Sequence, residues 1–380
     1  MTLKPSIINS LKRTSAAVWP LGALALSLCL TSCEPIFDSR DECKTGVALA
    51  FNYDYHMERG ANAFPTNVDC VDVLVFDNAG NYIDKFTETS AALQDRDYRM
   101  EIPLPEGQYH FVIYGGLACE NPAFEIAPEM HPAARSGAPT KDDIVVTVPT
   151  DENGVSKKIL HDTDNRSGGL FYGTHNITIT ADDLSNQYRE ETADVMKNTN
   201  NITIMLQELS TPDQVDYRNY GFYIVDSNFR LDGYNNPILS TLDEGKVYQP
   251  YHSENRTTGY VSDKQPEGPE IPDDARPVQV ALVEFSTNRL FEQHYKSARL
   301  LVTNKNELDE AGNEKTIINV PLIEYLLLSR GRGDGWIKTD QEYLDRQSRW
   351  SLMFFLQRNV WVNTSISVNS WIVRLNVIEL

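Results

Sequence analysis

The tetrapeptide Leu30-Thr31-Ser32-Cys33 ends an apolar N-terminal run with a side chain that can be acylated through a thioether, the pattern of a bacterial lipobox. The small residues Thr31 and Ser32 suit a signal-peptidase pocket that tolerates little bulk. A Cys33 thiolate can take a diacylglyceryl group before cleavage. Two or more acyl chains hold a protein stably on a membrane, whereas one chain does so only marginally. Stepping upstream, Lys4, Lys12 and Arg13 supply a positive n-region. Ala16 to Leu30 supplies an apolar h-region, interrupted by Pro20 and Gly22 and too short to span a bilayer well. Residues 1–32 therefore read as a lipoprotein signal peptide, Cys33 as the lipidation site and residues 33–44 as a tether on the exoplasmic side.

Other residue types give no reacting constellation. The histidines, His56, His110, His131, His161, His175, His252 and His294, fall at no zinc-site spacing. No Gly-x-Ser-x-Gly elbow or Walker lysine occurs, and the acidic pairs Asp142/Asp143, Asp182/Asp183 and Asp273/Asp274 sit among turn residues where solvation accounts for them. The sequence predicts no catalytic residue, metal or cofactor, and hence no enzyme. Arg332-Gly333-Asp334 is an integrin-type tripeptide on a glycine-rich turn, a short motif that fits solvated charge as well as adhesion. Trp350, Trp361 and Trp371 are more often core or interface residues than a sugar-stacking platform.

The formal net charge is −20, and losing the three cations of the signal takes it to about −23. Such a field repels phosphate backbones and excludes nucleic acid as a partner. With Cys33 acylated, Cys43, Cys70 and Cys119 remain, so three pairings are open. An oxidising compartment favours a disulfide. Cys70 opens one apolar strand and Cys119 follows the end of another, so those two meet if the strands are antiparallel neighbours.

From Thr45 onward the pattern is short apolar runs between turn residues, which predicts an all-β chain of sandwiches. Expected strands are Val47 to Tyr53, Val68 to Phe76, Tyr82 to Thr87, the alternating stretch Tyr98 to Leu104, and Gln108 to Tyr114. Pro103 marks an edge. Ala118 to Lys141 reads as a long excursion before Asp143 to Val148, and Asn176 to Thr180 as a short strand. Asp182 to Met196 reads as polar helix or coil, and Ile202 to Leu206 as the strand closing a first domain, 45–209. Ser210 to Tyr217 is the expected linker into a second domain, 210–380. Its strands are Tyr220 to Val225, Val278 to Phe285, Ala298 to Thr303, Thr316 to Val320, Trp350 to Leu356 and Trp371 to Val377. Leu322 to Leu328 and Asp340 to Gln347 read as short helices, and Ser253 to Pro277 as a loop without apolar period.

Three blocks carry a resemblance. Val68-Asp69-Cys70-Val71-Asp72-Val73-Leu74-Val75-Phe76-Asp77, Tyr98-Arg99-Met100, and Gly107-Gln108-Tyr109-His110-Phe111-Val112-Ile113-Tyr114-Gly115-Gly116-Leu117-Ala118-Cys119 resemble the FimB-type fimbrial anchor subunits of type V fimbriae. Phe51 to Met57, Glu342 to Gln347 and Asn369 to Leu375 resemble the same family. The resemblance implies two tandem transthyretin-like β-sandwich domains. It implies an outer-membrane lipoprotein that holds a fimbria at its base and limits its length, with fimbrial shaft or accessory subunits as partners. In polymerising relatives an arginine-specific protease removes the first strand and opens a groove for the next subunit's strand. Here Val47 to Tyr55 is the candidate first strand and Arg59 the possible protease site. An anchor keeps both, so pairing is expected at Ile366 to Val377, through Ile366, Val368, Trp371, Val373 and Leu375. The alternatives are a lipid-anchored surface adhesin or fimbrial tip subunit that binds a host or bacterial ligand, and a glycan-binding lipoprotein.

Overall fold

The chain enters its first strand at Gly46, where no side chain fits: at φ +134° a Cβ would lie 2.1 Å from the carbonyl oxygen of Ile102. The computed structural model describes residues 45–57, 60–120, 122–128, 139–156, 169–184, 187–239, 245–261, 274–331, 335–368 and 371–376. The first strands are β1 (Gly46–Asn52), β2 (Val71–Asp77), β3 (Tyr82–Glu88), β4 (Met100–Pro103), β5 (Gly107–Gly115), β6 (Glu125–Ala127), β7 (Val145–Thr147), β8 (Phe171–Ile179) and β9 (Arg189–Lys197). Seven of them form one sheet in the order β3-β2-β5-β8-β9-β1-β4. Strand β4, which carries Pro103, lies at its margin, as proline's missing donor requires.

Strand β9 joins two parts of this sheet. Its residues 189–194 pair in parallel with β1, while Val195 to Lys197 pair antiparallel with β8. Leu49, Phe51, Val73, Val75, Phe111, Ile113, Ile177 and Val195 meet in one core. Strand β2 is buried on both faces: Val71, Val73 and Val75 face that core, whereas Leu74 and Phe76 join a second one. A strand covered on both faces reads as a continuous apolar run rather than an alternating one.

The remaining strands are β10 (Asn200–Glu208), β11 (Tyr220–Val225), β12 (Arg230–Asp232), β13 (Val247–Tyr248), β14 (His252–Val261), β15 (Arg276–Thr287), β16 (Arg299–Leu308), β17 (Glu314–Pro321), β18 (Arg349–Gln357), β19 (Val360–Val368) and β20 (Trp371–Asn376). They build a six-stranded sheet, β14-β15-β10-β18-β19-β20, and a four-stranded one, β13-β11-β16-β17. Ile202, Ile204, Phe285, Leu352 and Phe354 of the first meet Phe222, Ile224, Leu300, Val302 and Val320 of the second. A three-stranded sheet, β12-β7-β6, takes two strands from the first set and one from the second. Its Val146 and Leu231 lie in the same core as Leu74 and Phe76, so apolar packing runs unbroken between the sheet systems. Residues 44–380 form one unit.

Four local expectations are corrected. Strand β10 does not close the first sheet: it pairs antiparallel with β15 and in parallel with β18. The strand sets therefore change at Asn198–Thr199, not at residue 209, and Ser210 to Tyr217 is a connection inside the second set. Asp182 to Met196 contains β9, whose polar composition hides a strand because only Ala193 and Val195 are fully buried along it. Ser253 to Val261 belongs to β14, a marginal strand paired only with β15, so no apolar face is needed to hold it. Ile366 to Val377 is not one segment but parts of the β19–β20 hairpin.

Short helices complete the frame. In α1 (Phe64–Asn67) Phe64 packs into the first core, α2 (Leu322–Leu327) buries Leu322, Ile323 and Leu326, and α3 is Asp340–Arg346. Thr339 caps α3 by accepting from the Glu342 amide, and Arg346 pairs with Glu342 one turn back. Asp345 of α3 is buried and receives a bidentate fork from Arg289, at 2.8 and 2.7 Å, while a third Arg289 nitrogen donates to the Asn235 carbonyl at 2.6 Å. This pair ties α3 to the loops after β12 and β15. Removing one member of a buried pair leaves the other charge uncompensated, at a cost of about 3–5 kcal/mol. Arg289→Ala is expected to lower the unfolding free energy by about 3 kcal/mol; an unchanged midpoint in urea denaturation would refute this.

Candidate functional site

Strand β1 fills a slot between two others. It pairs antiparallel with β4 from Gly46 to Leu49 and in parallel with β9 from Val47 to Asn52. Val47, Leu49, Phe51 and Tyr53 are buried, and Phe51 stacks on Phe64 at 4.9 Å between ring centroids. The exit is clamped by Asn62. Its Oδ1 accepts from the amides of Tyr53 and Phe64 at 2.9 and 3.0 Å, and its Nδ2 donates to the Phe51 carbonyl at 2.8 Å. Taking β1 away would unpair both β4 and β9 and uncover an apolar groove fitted to a strand with alternating side chains. Arg59 lies outside the described residues, as do Cys33, Cys43 and Arg332 to Asp334.

Sheet margins are the other surfaces that could pair with a strand, and most are guarded. Strand β3 carries Asp84, Lys85 and Glu88, and its ladder to β2 is bulged between Val75 and Phe76. Strand β14 carries Glu254 and Arg256 and is bulged between Thr257 and Gly259. Strand β17 ends in Pro321 beside a bulged ladder, and the two-residue β13 is bridged by Val155. Strand β20 differs. It pairs with β19 from Trp371 to Asn376 without a register shift, and among the described residues no strand lies on its other side. Trp371, Val373 and Leu375 therefore stand on a marginal strand. Ile366 and Val368 do not: β19 is interior, with Ile366 opposite Leu352 of β18 on one side and Val373 on the other. The expectation of pairing through those two residues is corrected for this reason.

Cys70 and Cys119 are joined by a disulfide. It fastens the residue before β2 to the segment after β5, at the end where Val71 faces Gly115 and the Gly116 amide donates to the Cys70 carbonyl at 3.1 Å.

Two cavities accompany these surfaces. The larger, about 670 Å³, lies where the β2–β3 turn, β5, β8 and the Thr140–Asp142 segment meet Tyr234. Its polar groups satisfy one another. Lys141 reaches Nε2 of His110 at 2.8 Å and lies 4.2 Å from the centroid of the Tyr234 ring, and His110 also contacts Asn176. The Tyr234 hydroxyl donates to Asp142 at 2.6 Å, which raises its pKa, and burial lowers the pKa values of Lys141 and His110. Tyr234 is 52% exposed, so an aromatic face stands at the mouth of a polar basin. The smaller cavity, about 280 Å³, is lined by Tyr53, Lys197 and Arg349 among others. Sequence reading singled out neither, because the lining residues are far apart in the chain and follow no spacing rule. No group of metal-ligating side chains occurs among the described residues, and no described helix is long and apolar enough to cross a membrane.

A model of the family described as fimbrillin-A associated anchor proteins Mfa1 and Mfa2 matches residues 40–377. Among solved structures, the chain is similar to a candidate adhesin from Bacteroides thetaiotaomicron, with 36% identity and a TM-score of 0.67 over 88% of this chain and 99% of that one. It is similar to a candidate polysaccharide-binding protein from the same organism, with 28% identity and a TM-score of 0.64 over 87% and 98%. The fimbrial anchor protein Mfa2 from Porphyromonas gingivalis shares the fold at 18% identity, with a TM-score of 0.58 over 86% and 98%. No curated protein matches.

The disulfide closes a loop with a sequence separation of 49 residues. Chain-entropy reasoning assigns such a cross-link up to about 4 kcal/mol. The double variant Cys70→Ala/Cys119→Ala is expected to unfold at lower denaturant by a corresponding amount, and wild type in reductant should match it. Equal midpoints for oxidised wild type and variant would refute the contribution.

Proposed function

The chain belongs to the family of fimbrillin-A associated anchor proteins, and from that premise we propose that it anchors a fimbria at its base, on the outer membrane through lipid on Cys33, and limits filament length. The observation that carries this reading is the filled slot around β1. A pilin whose first strand has been removed accepts a strand from the next subunit, whereas a subunit that keeps its own strand presents no vacant groove. It can take part in strand exchange only as donor, or by pairing at a free margin, so it ends the filament. Position supports the same reading: Cys33 lies upstream of β1, and a cut at Arg59 would release the strand and the lipid together. Residues 34–45, fully extended, reach at most about 40 Å, which keeps the sandwiches close to the bilayer.

The partner is another fimbrial subunit, and β20 is the surface offered to it, through Trp371, Val373 and Leu375. The role needs no catalysis, cofactor or metal. A second reading, a lipid-anchored adhesin, is favoured by the polar basin beside Tyr234 and by the likeness to the candidate adhesin from Bacteroides thetaiotaomicron.

Electron microscopy of a strain lacking this protein tests the first reading. Long filaments shed into the medium are expected, and retained filaments of ordinary length would reject it, with loss of cell adhesion then favouring the second. Cys33→Ala is expected to abolish labelling by radioactive palmitate and to move the protein out of the membrane fraction; persistent labelling would place the lipid elsewhere.

A further inference from the structure

The smaller cavity holds a charge arrangement that the fold itself does not explain. Lys197 ends β9, Arg349 opens β18, and Tyr53 follows β1, so three distant stretches bring donor groups to one cleft. Among the described residues, neither the Lys197 ammonium nor the Arg349 guanidinium has a carboxylate within ion-pair distance. The Tyr53 hydroxyl has no hydrogen-bond acceptor there, although its ring is buried edge-on to Phe171 at 5.2 Å.

Several neighbouring side chains are engaged elsewhere. Arg346 pairs with Glu342 at 2.9 Å and lies over the Tyr55 and Trp336 rings at 3.9 and 4.9 Å. Asp345 is held by Arg289, Glu284 accepts from the Tyr251 hydroxyl at 3.2 Å, and the His56 ring meets the Ala61 carbonyl at 3.0 Å. Burial, with the Arg349 charge beside it, pushes the Lys197 pKa down to about 8. Two facing cations without a counter-charge are unfavourable in any protein, and this one has a net charge of −20 to draw on.

We propose that this cleft is an oxyanion site that takes one phosphate or carboxylate group, free or on a small carrier. The Arg349 fork grips two oxygens, the Lys197 ammonium supplies the second charge, and the Tyr53 hydroxyl donates to a remaining oxygen. The site is independent of the fimbrial role and stands or falls without it.

Calorimetric titration of the detergent-solubilised full-length protein with inorganic phosphate, and separately with D-glucuronate, tests it. Saturable one-to-one binding of at least one probe is expected, and the tighter of the two identifies the oxyanion. Lys197→Met and Arg349→Gln should each weaken that binding by at least about tenfold. Arg349 is solvent-exposed, so its variant keeps the test open if Lys197→Met fails to fold. Absence of saturable binding by both probes, or undiminished binding in the Arg349→Gln variant, overturns the proposal.

Discussion

The β9-β1-β4 end of the first sheet depends on β1 staying in its slot. It is the strand through which β4 is attached at all, since β4 has no other neighbour in the sheet, and it supplies Val47, Leu49 and Phe51 to a core that β2, β5 and β8 close from other sides. The ladder on its β9 side is parallel, which requires the chain to travel through the whole sheet before returning beside it. A first strand held between β4 and β9 by ladders so distant in sequence is a separable piece of the sheet. Its retention or loss therefore changes what the subunit can do.

Packing then makes that local choice matter for the whole described unit. Strand β2 faces two cores, so a change in the first sheet is felt by Leu74 and Phe76 on its far side. Those residues pack with Val146 and Leu231 of the shared three-stranded sheet, and through it with the second sandwich. Close-packed interiors transmit strain rather than absorb it. A pull on the C-terminal sheet would thus be opposed by one continuous core and not by a flexible linker.

Much of this was legible in the residues. The apolar run at 68–76, which contains most of β2, the alternation at 98–104, Pro103 at an edge and the spacing of Cys70 and Cys119 against two strands all follow from local rules. Tyr220 to Val225 was readable to the residue. What escaped was long-range. Ile202, Ile204 and Leu206 announce one buried face but not which sheet receives it, and the answer, β15 and β18, lies far downstream. Strand β9 hides behind Arg189, Glu190, Glu191 and Asp194, because its outward side chains are charged and its buried ones few. Strand β14 needs no apolar face, and β19 carries so many Thr, Ser and Asn residues that its pairing shows only beside its neighbours. The cleft of Tyr53, Lys197 and Arg349 has no local signal, being made by three chain segments that meet only in the fold.

The sheet margins differ in how they are protected. Natural sheets protect their edges with charge, bulges, proline and brevity, and here β3, β14, β17, β13 and β4 each use at least one of these devices. Strand β20 carries a single charge, Arg374, along six residues, with no proline and no bulge in its ladder. A sparsely guarded edge invites strand addition, so its persistence at the C-terminal sheet is intelligible if another chain covers it. With the N-terminal slot already occupied by β1, that margin is the least guarded place among the described residues where a strand can be added.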